Sequence, residues 1–138
     1  NRPLALHPEQ LIDLWAEHVE EGGFIYKGGP VATDAVIGLA KSSNVNEKSL
    51  VGCIEAIDLH HSPSERPDIE IVRLFVGYAG WSAGQLETEL KEGSWFIFDA
   101  KESDVFTDDT ENLWETVLRR QGGIVSHMAG VPEDLSEN

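Results

Sequence analysis

Cysteine, methionine and basic side chains are scarce in this chain. Cys53 is the only cysteine among 138 residues. No disulfide can close within the chain and no thiolate metal cluster can be built, so a reducing, cytoplasmic compartment is expected. Met128 is the only methionine, so Asn1 is not expected to be an untrimmed translation start. Lys and Arg number 10 against 25 Asp and Glu, a formal net charge of −15. Binding a polyanion takes clustered cations, and the only adjacent basic pair, Arg119-Arg120, sits where it would cap a helix C-terminus. Direct nucleic-acid binding is therefore disfavoured, while the acidity suits solubility, basic partners or cations. Long apolar runs are also missing. The richest, IEIVRLFVGYAGW from Ile69, carries Glu70, Arg73 and two glycines, too polar and too short for a membrane span.

What is present is an ordinary globular composition, 41% hydrophobic and 25% charged, with a length that suits one domain over 1–138. HPEQLIDLWAEHVEEGG predicts a helix: Pro8 suits the first helical position, Leu11, Ile12, Trp15 and Val19 share one face, and Gly22 stops it. FIYK predicts a short strand, and the paired glycines of GGPV a turn, because they permit positive φ. VATDAVIGLAK and SLVGCIEAIDL each read as strands, with the polar KSSNVNEKS as a hairpin or loop between them. HHSPSERPD reads as an exposed connector. Residues 68–76 are expected to form a central strand and SWFIFDA a strand of the same type. Near the end, Asp108 and Glu111 form a capping-box pattern, Leu113, Trp114, Val117 and Leu118 an apolar stripe, and Arg119, Arg120 and Gly122 a helix end. The alternation places the chain among α/β or α+β folds.

The segment FVGYAGWSAGQLETEL raises the functional question. With Ser82 as N-cap, Ser82 and Gln85 form a capping box, Trp81 and Leu86 fall at the staple positions, Leu86 and Leu90 face the core, and Gly93 ends the helix. A glycine-rich loop entering a helix is also an anion-binding arrangement. Here it lacks both the dinucleotide fingerprint and the Walker lysine, and Glu87 and Glu89 would repel a phosphate. Gly77, Tyr78, Ala79 and Gly80 are left without a local structural reason. The rings of Tyr78 and Trp81, flanked by glycines, are expected to stay partly exposed.

Other chemistry is thin. Cys53 sits in an apolar strand-like context that suits a buried, inert thiol. No nucleophile-elbow motif occurs. His60-His61 with Asp58 and Glu65 is the only acid and histidine cluster. His60 and His61 would point to opposite faces of an extended chain and not share one ion, although Asp58 and His60 could, in a loop that reads as solvated. His7, His18 and His127 have no pairing spacing. Trp15, Trp95 and Trp114 read as core residues. No metal or cofactor is expected.

NRP at 1–3, YKGGPV at 26–31, RLFVGYAGWSAGQLETEL at 73–90, Trp95, LWETVLRRQGG at 113–123 and the terminal PEDLSEN together resemble the YqgE/AlgH family of bacterial proteins. The resemblance spans nearly the whole chain. It implies an α/β sandwich with a bent, mostly antiparallel mixed sheet flanked by helices, in cytoplasmic proteins labelled transcriptional regulators without an assigned biochemical activity. The resemblance implies a strand region ahead of the N-R-P turn, upstream of Asn1; the domain over 1–138 is expected to be without it, and in that case part of the sheet is expected to be unpaired. The resemblance also implies that the two glycine motifs lie close together, framing a shallow, partly apolar cleft. Gly28, Gly29, Pro30, Gly77, Tyr78, Ala79, Gly80, Trp81, Gln85 and Glu89 are the expected binding residues. The leading expectation is a non-enzymatic binding or regulatory module that engages a protein segment or a small apolar ligand. The alternative is an enzyme using Gln85, Glu89 and Tyr78 at the cleft, and a DNA-binding regulator is third.

Overall fold

The computed structural model describes residues 2–6, 8, 12–20, 23–123 and 127. Within them lies an α+β fold built on one six-stranded mixed sheet. The strands are β1 (Arg2–Leu4), β2 (Ile25–Lys27), β3 (Val31–Ser42), β4 (Ser49–Val51), β5 (Ile54–Ile57) and β6 (Ile69–Tyr78), ordered β1-β2-β6-β3-β5-β4. Only the β2–β6 pairing is parallel; the others are antiparallel. Three helices flank the sheet among the described residues: α1 (Gln85–Lys91), α2 (Glu102–Val105) and α3 (Leu113–Gln121).

The sheet is packed on two faces, as the alternation along β6 requires. Val72, Leu74 and Val76 join Ile25, Ala40 and Ile69 in a core closed by Trp15, with Ile12, Val19 and Leu59 packed against it. Arg73, between Val72 and Leu74, serves the other face. Its guanidinium lies 4.3 Å over the Tyr26 ring and 5.6 Å from the Phe106 ring. The central place expected for the 68–76 strand is observed, and it continues to Tyr78.

Several elements differ from the sequence expectation. Part of the helix expected over 7–23 lies outside the described residues. Within 12–20, however, the backbone forms only a 3-10 turn, Ala16–His18, and Val19 then bridges in parallel to Val72. Burying Trp15 and tying Val19 to the sheet override the 3.6-residue periodicity. SLVGCIEAIDL is not one strand but a tight hairpin. Gly52 turns it at φ +53°, and Cys53, half-buried, donates its backbone N–H to Glu102 Oε1 at 2.6 Å. SWFIFDA is not a strand at all, since no strand of the sheet pairs with it among the described residues, and Trp95, Phe96 and Ile97 are exposed. The last helix begins at Leu113, not beside Asp108; its N-cap is Asn112, whose backbone and side-chain nitrogens both donate to Asp109 Oδ1. Leu118 is buried on this helix as expected, but Trp114 faces outward. The acidic C-terminal segment from 128 and the first motif residue, Asn1, lie outside the described residues.

Candidate functional site

The two glycine motifs meet backbone to backbone. β2 leads directly into Gly28 and Gly29, β6 ends through Gly77 and Tyr78, and Gly28 N–H donates to the Val76 carbonyl at 2.8 Å. A Cβ on Gly28 would overlap the Gly77 carbonyl oxygen, and one on Gly29 would overlap the Tyr78 backbone. Neither Gly28 nor Gly29 has positive φ, so close approach, not turn conformation, excludes side chains there, contrary to the sequence reading of GGPV. Gly77 carries both constraints: its φ is +72° and a Cβ would press on the Gly29 carbonyl oxygen. The same crossing disturbs the register. Val31 faces Tyr78 and Val36 faces Val76, so residues 32–35 bulge out of β3.

Beyond Tyr78 the chain leaves the sheet and enters α1. Gly84, not Ser82, is the N-cap, at φ +78°. Half of the expected capping box is present: Gln85 Oε1 accepts from Ser82 N–H at 3.0 Å, and the hydroxyl of Ser82 makes no cap. Thr88 Oγ1 donates to the Gly84 carbonyl at 2.9 Å. At the other end Gly93, at φ +76°, closes a Schellman motif in which Ser94 N–H donates to Glu89 O and Gly93 N–H to Leu90 O. α1 buries no residue fully, and Leu86 and Leu90 are half-buried.

This geometry aims three donors at one carboxylate. Glu89 Oε2 accepts from Trp95 Nε1 at 2.6 Å and from Trp81 Nε1 at 3.0 Å, while its Oε1 accepts from Gln85 Nε2 at 2.8 Å. Hydrogen bonds to the charged form favour it. The bond from Trp95, then those from Gln85 and Trp81, hold the Glu89 carboxyl below its ordinary value of 4.5. The two indoles meet edge to face, with centroids 5.6 Å apart and planes at 79°, and are 38% and 48% exposed. Trp81 thus turns to Trp95 and Glu89, where the sequence reading paired it with Leu86. Tyr78 is also exposed, its ring lying over Gly80.

The structure therefore brings Gly28, Gly29, Gly77 and Tyr78 to one crossing, and Trp81, Gln85 and Glu89 to one hydrogen-bonded cluster on the loop and helix that follow. Pro30 and Ala79 are exposed beside the crossing. Sequence reasoning missed Trp95. The available signal was its place just past Gly93, where the Schellman turn folds the chain back toward Glu89. A separate cavity of about 500 Å³ lies elsewhere, lined by Ile12, Asp13, Leu14, Val36, Leu59 and His60. Near it, Asp58 accepts from His60 N–H and lies 3.3 Å from His61 Nδ1. No group of three or more potential ligands is placed to hold a metal ion among the described residues. No helix among them is long and apolar enough to cross a membrane.

Comparison with known proteins gives a consistent result. A sequence model of a family described as AlgH-like matches residues 1–126. A UPF0301 protein of Streptomyces coelicolor is 35% identical over 147 residues, covering 100% of this chain and 76% of that protein. One of Thermobifida fusca is 36% identical over 151 residues, with the same coverage. Among solved structures, a crystal structure of a Corynebacterium diphtheriae protein superimposes with a TM-score of 0.82 at 26% identity, covering 93% of this chain and 71% of that one. The solution structure of the AlgH protein from Pseudomonas aeruginosa matches with a TM-score of 0.64 at 25% identity, covering 96% and 75%.

Proposed function

The chain belongs to the AlgH-like family, and from that premise we propose that it is a non-enzymatic binding or regulatory protein whose contact surface is the aromatic cluster beside the crossing of the glycine motifs. The observation that carries this reading is the triple hydrogen bonding of Glu89. A carboxylate that accepts from Trp81, Trp95 and Gln85 fixes two large exposed rings in one orientation. Rigid, amphipathic rings of this kind are the usual anchors of recognition surfaces. The alternative, an enzyme working through Gln85, Glu89 and Tyr78, draws less support. Glu89 is a weakened base, because the N–H donors that surround it stabilise its charged form. A DNA-binding regulator draws less still at a net charge of −15. A cytoplasmic, reducing setting suits the lone cysteine.

The test is to follow the indole Nε1–H resonances while titrating a panel of small apolar fragments and short apolar peptides. The largest perturbations are expected at Trp81 and Trp95. Binding concentrated at the cavity of Ile12 and Leu59, with the cluster silent, would reject the reading.

A further inference from the structure

The Trp81–Trp95 pair has more specific chemistry than an apolar patch. Two partly exposed rings meeting edge to face at 79° with centroids 5.6 Å apart form a corner. A rounded group of methyl-ammonium size set into it beside the contacting edge would lie within about 6 Å of both ring centres, the range of a cation–π contact. Both indole N–H groups are already bonded to Glu89 Oε2. The rings therefore offer a ligand their faces and not their donors, and donation to a carboxylate makes those faces more electron-rich. Glu89, bonded to both indole N–H groups, adds a full negative charge at the ring edges; Glu87 stands on the same short helix and Glu92 caps it, with Lys91 the one cation there, in a chain of net charge −15. An apolar ligand would use the area of the rings but none of this charge.

We propose that the corner formed by Trp81 and Trp95 over Glu89 binds a quaternary or methylated ammonium group. This rests on the reading of the cluster as the contact surface and names the ligand class of that same site. Each ring contributes roughly a twofold to fivefold preference for the cation over a neutral group of the same shape. Glu89 keeps the two rings in register and supplies the field that draws the cation in.

The experiment compares choline with 3,3-dimethyl-1-butanol, its neutral carbon isostere, by titration into the intact chain and into Trp95→Leu, read from indole fluorescence and the Nε1–H resonances. Choline is expected to bind at least threefold more tightly than the alcohol and to shift both indoles. Trp95→Leu keeps an apolar wall but removes a π-face, so it should weaken choline at least threefold and leave the alcohol within twofold. Because Trp95 is exposed, the substitution should leave folding intact, checked by an unchanged thermal transition. Equal binding of choline and alcohol at the two indoles would overturn this inference and leave the apolar contact surface standing. Choline binding that moves neither indole would overturn it too, and silence of the indoles toward both ligands and toward the apolar panel would overturn both readings.

Discussion

Arg73 grips Glu20 with a fork: its Nε donates to one carboxylate oxygen at 2.6 Å and its Nη2 to the other at 2.8 Å. The arginine is fully buried, and its Nη1 also donates to the carbonyls of Val105 and Thr107 at 2.7 and 2.9 Å. One side chain on the central strand thus ties the segment after the 3-10 turn to the end of α2 and the loop that follows it. Removing one partner of such a pair strands the other charge, whereas removing both does not. Arg73→Met is expected to lower the unfolding free energy by about 3–5 kcal/mol in urea titration. Combining it with Glu20→Leu should be markedly less harmful than the two single losses added together.

The crossing of the glycine motifs predicts a graded series. Gly29→Ala and Gly77→Ala force a methyl into the backbone of the opposing strand, and at Gly77 the φ of +72° adds strain. Each should cost at least about 2 kcal/mol. Gly84→Ala has the same kind of φ but open space around the new methyl, so its cost is the left-handed conformation alone, about 1–2 kcal/mol. Denaturation midpoints of the three variants check the order.

Glu89→Ala should uncouple the indoles without unfolding the chain. The near-ultraviolet circular dichroism of the edge-to-face pair is expected to collapse, and the Trp81 and Trp95 Nε1–H resonances to move toward solvent-exposed positions. Thermal unfolding should stay cooperative, because α1 buries no residue fully. An unchanged near-ultraviolet spectrum would contradict the role given to Glu89.

Asp104 supplies part of the pH dependence. Arg120 donates to it twice, at 2.8 and 2.7 Å, and Lys101 N–H once at 2.8 Å. The Arg120 bond is the main cause that holds its carboxyl below the ordinary value of 3.8. A depressed carboxyl contributes stability that is complete above its unfolded pKa and is lost as pH falls through the folded one. The loss therefore belongs to the acid range below about pH 4. Asp104→Asn should lower stability at pH 7 and flatten the acid limb of stability against pH in that range, measured by urea titration at several pH values.

The strands were legible in the sequence where their neighbours leave a local trace. Ile25 to Lys27 and Ile69 to Tyr78 are rich in β-branched and aromatic residues, and their glycines mark the crossing. The β4–β5 hairpin was hidden because Gly52 and Cys53 interrupt an apolar run that reads as one strand. Trp95, Phe96 and Ile97 have strand composition, but a strand needs a partner, and composition does not supply one. The helix expected around Trp15 lost to long-range contacts, the bridge of Val19 to Val72 and the indole bond from Trp15 to the His61 carbonyl. At the candidate site, the one-turn spacing of Gln85 and Glu89 was visible. The arrival of Trp95 depended on the handedness of the turn at Gly93, which spacing alone does not convey.

The strand order also sets a sequence of events in folding. β4 and β5 close across two residues, and β3 joins β5 with Gly38 facing Ile57. The parallel pair β2–β6 instead sets Ile25 against Leu74 and must bring together chain ends separated by the whole β3–β5 unit. Closing the longer loop costs more entropy before any contact repays it, so non-local pairings form late and slow the overall rate. The β3–β5–β4 unit, whose pairings are the more local, is therefore expected to form early, and the crossing of the two glycine motifs late, when the ends of β2 and β6 meet.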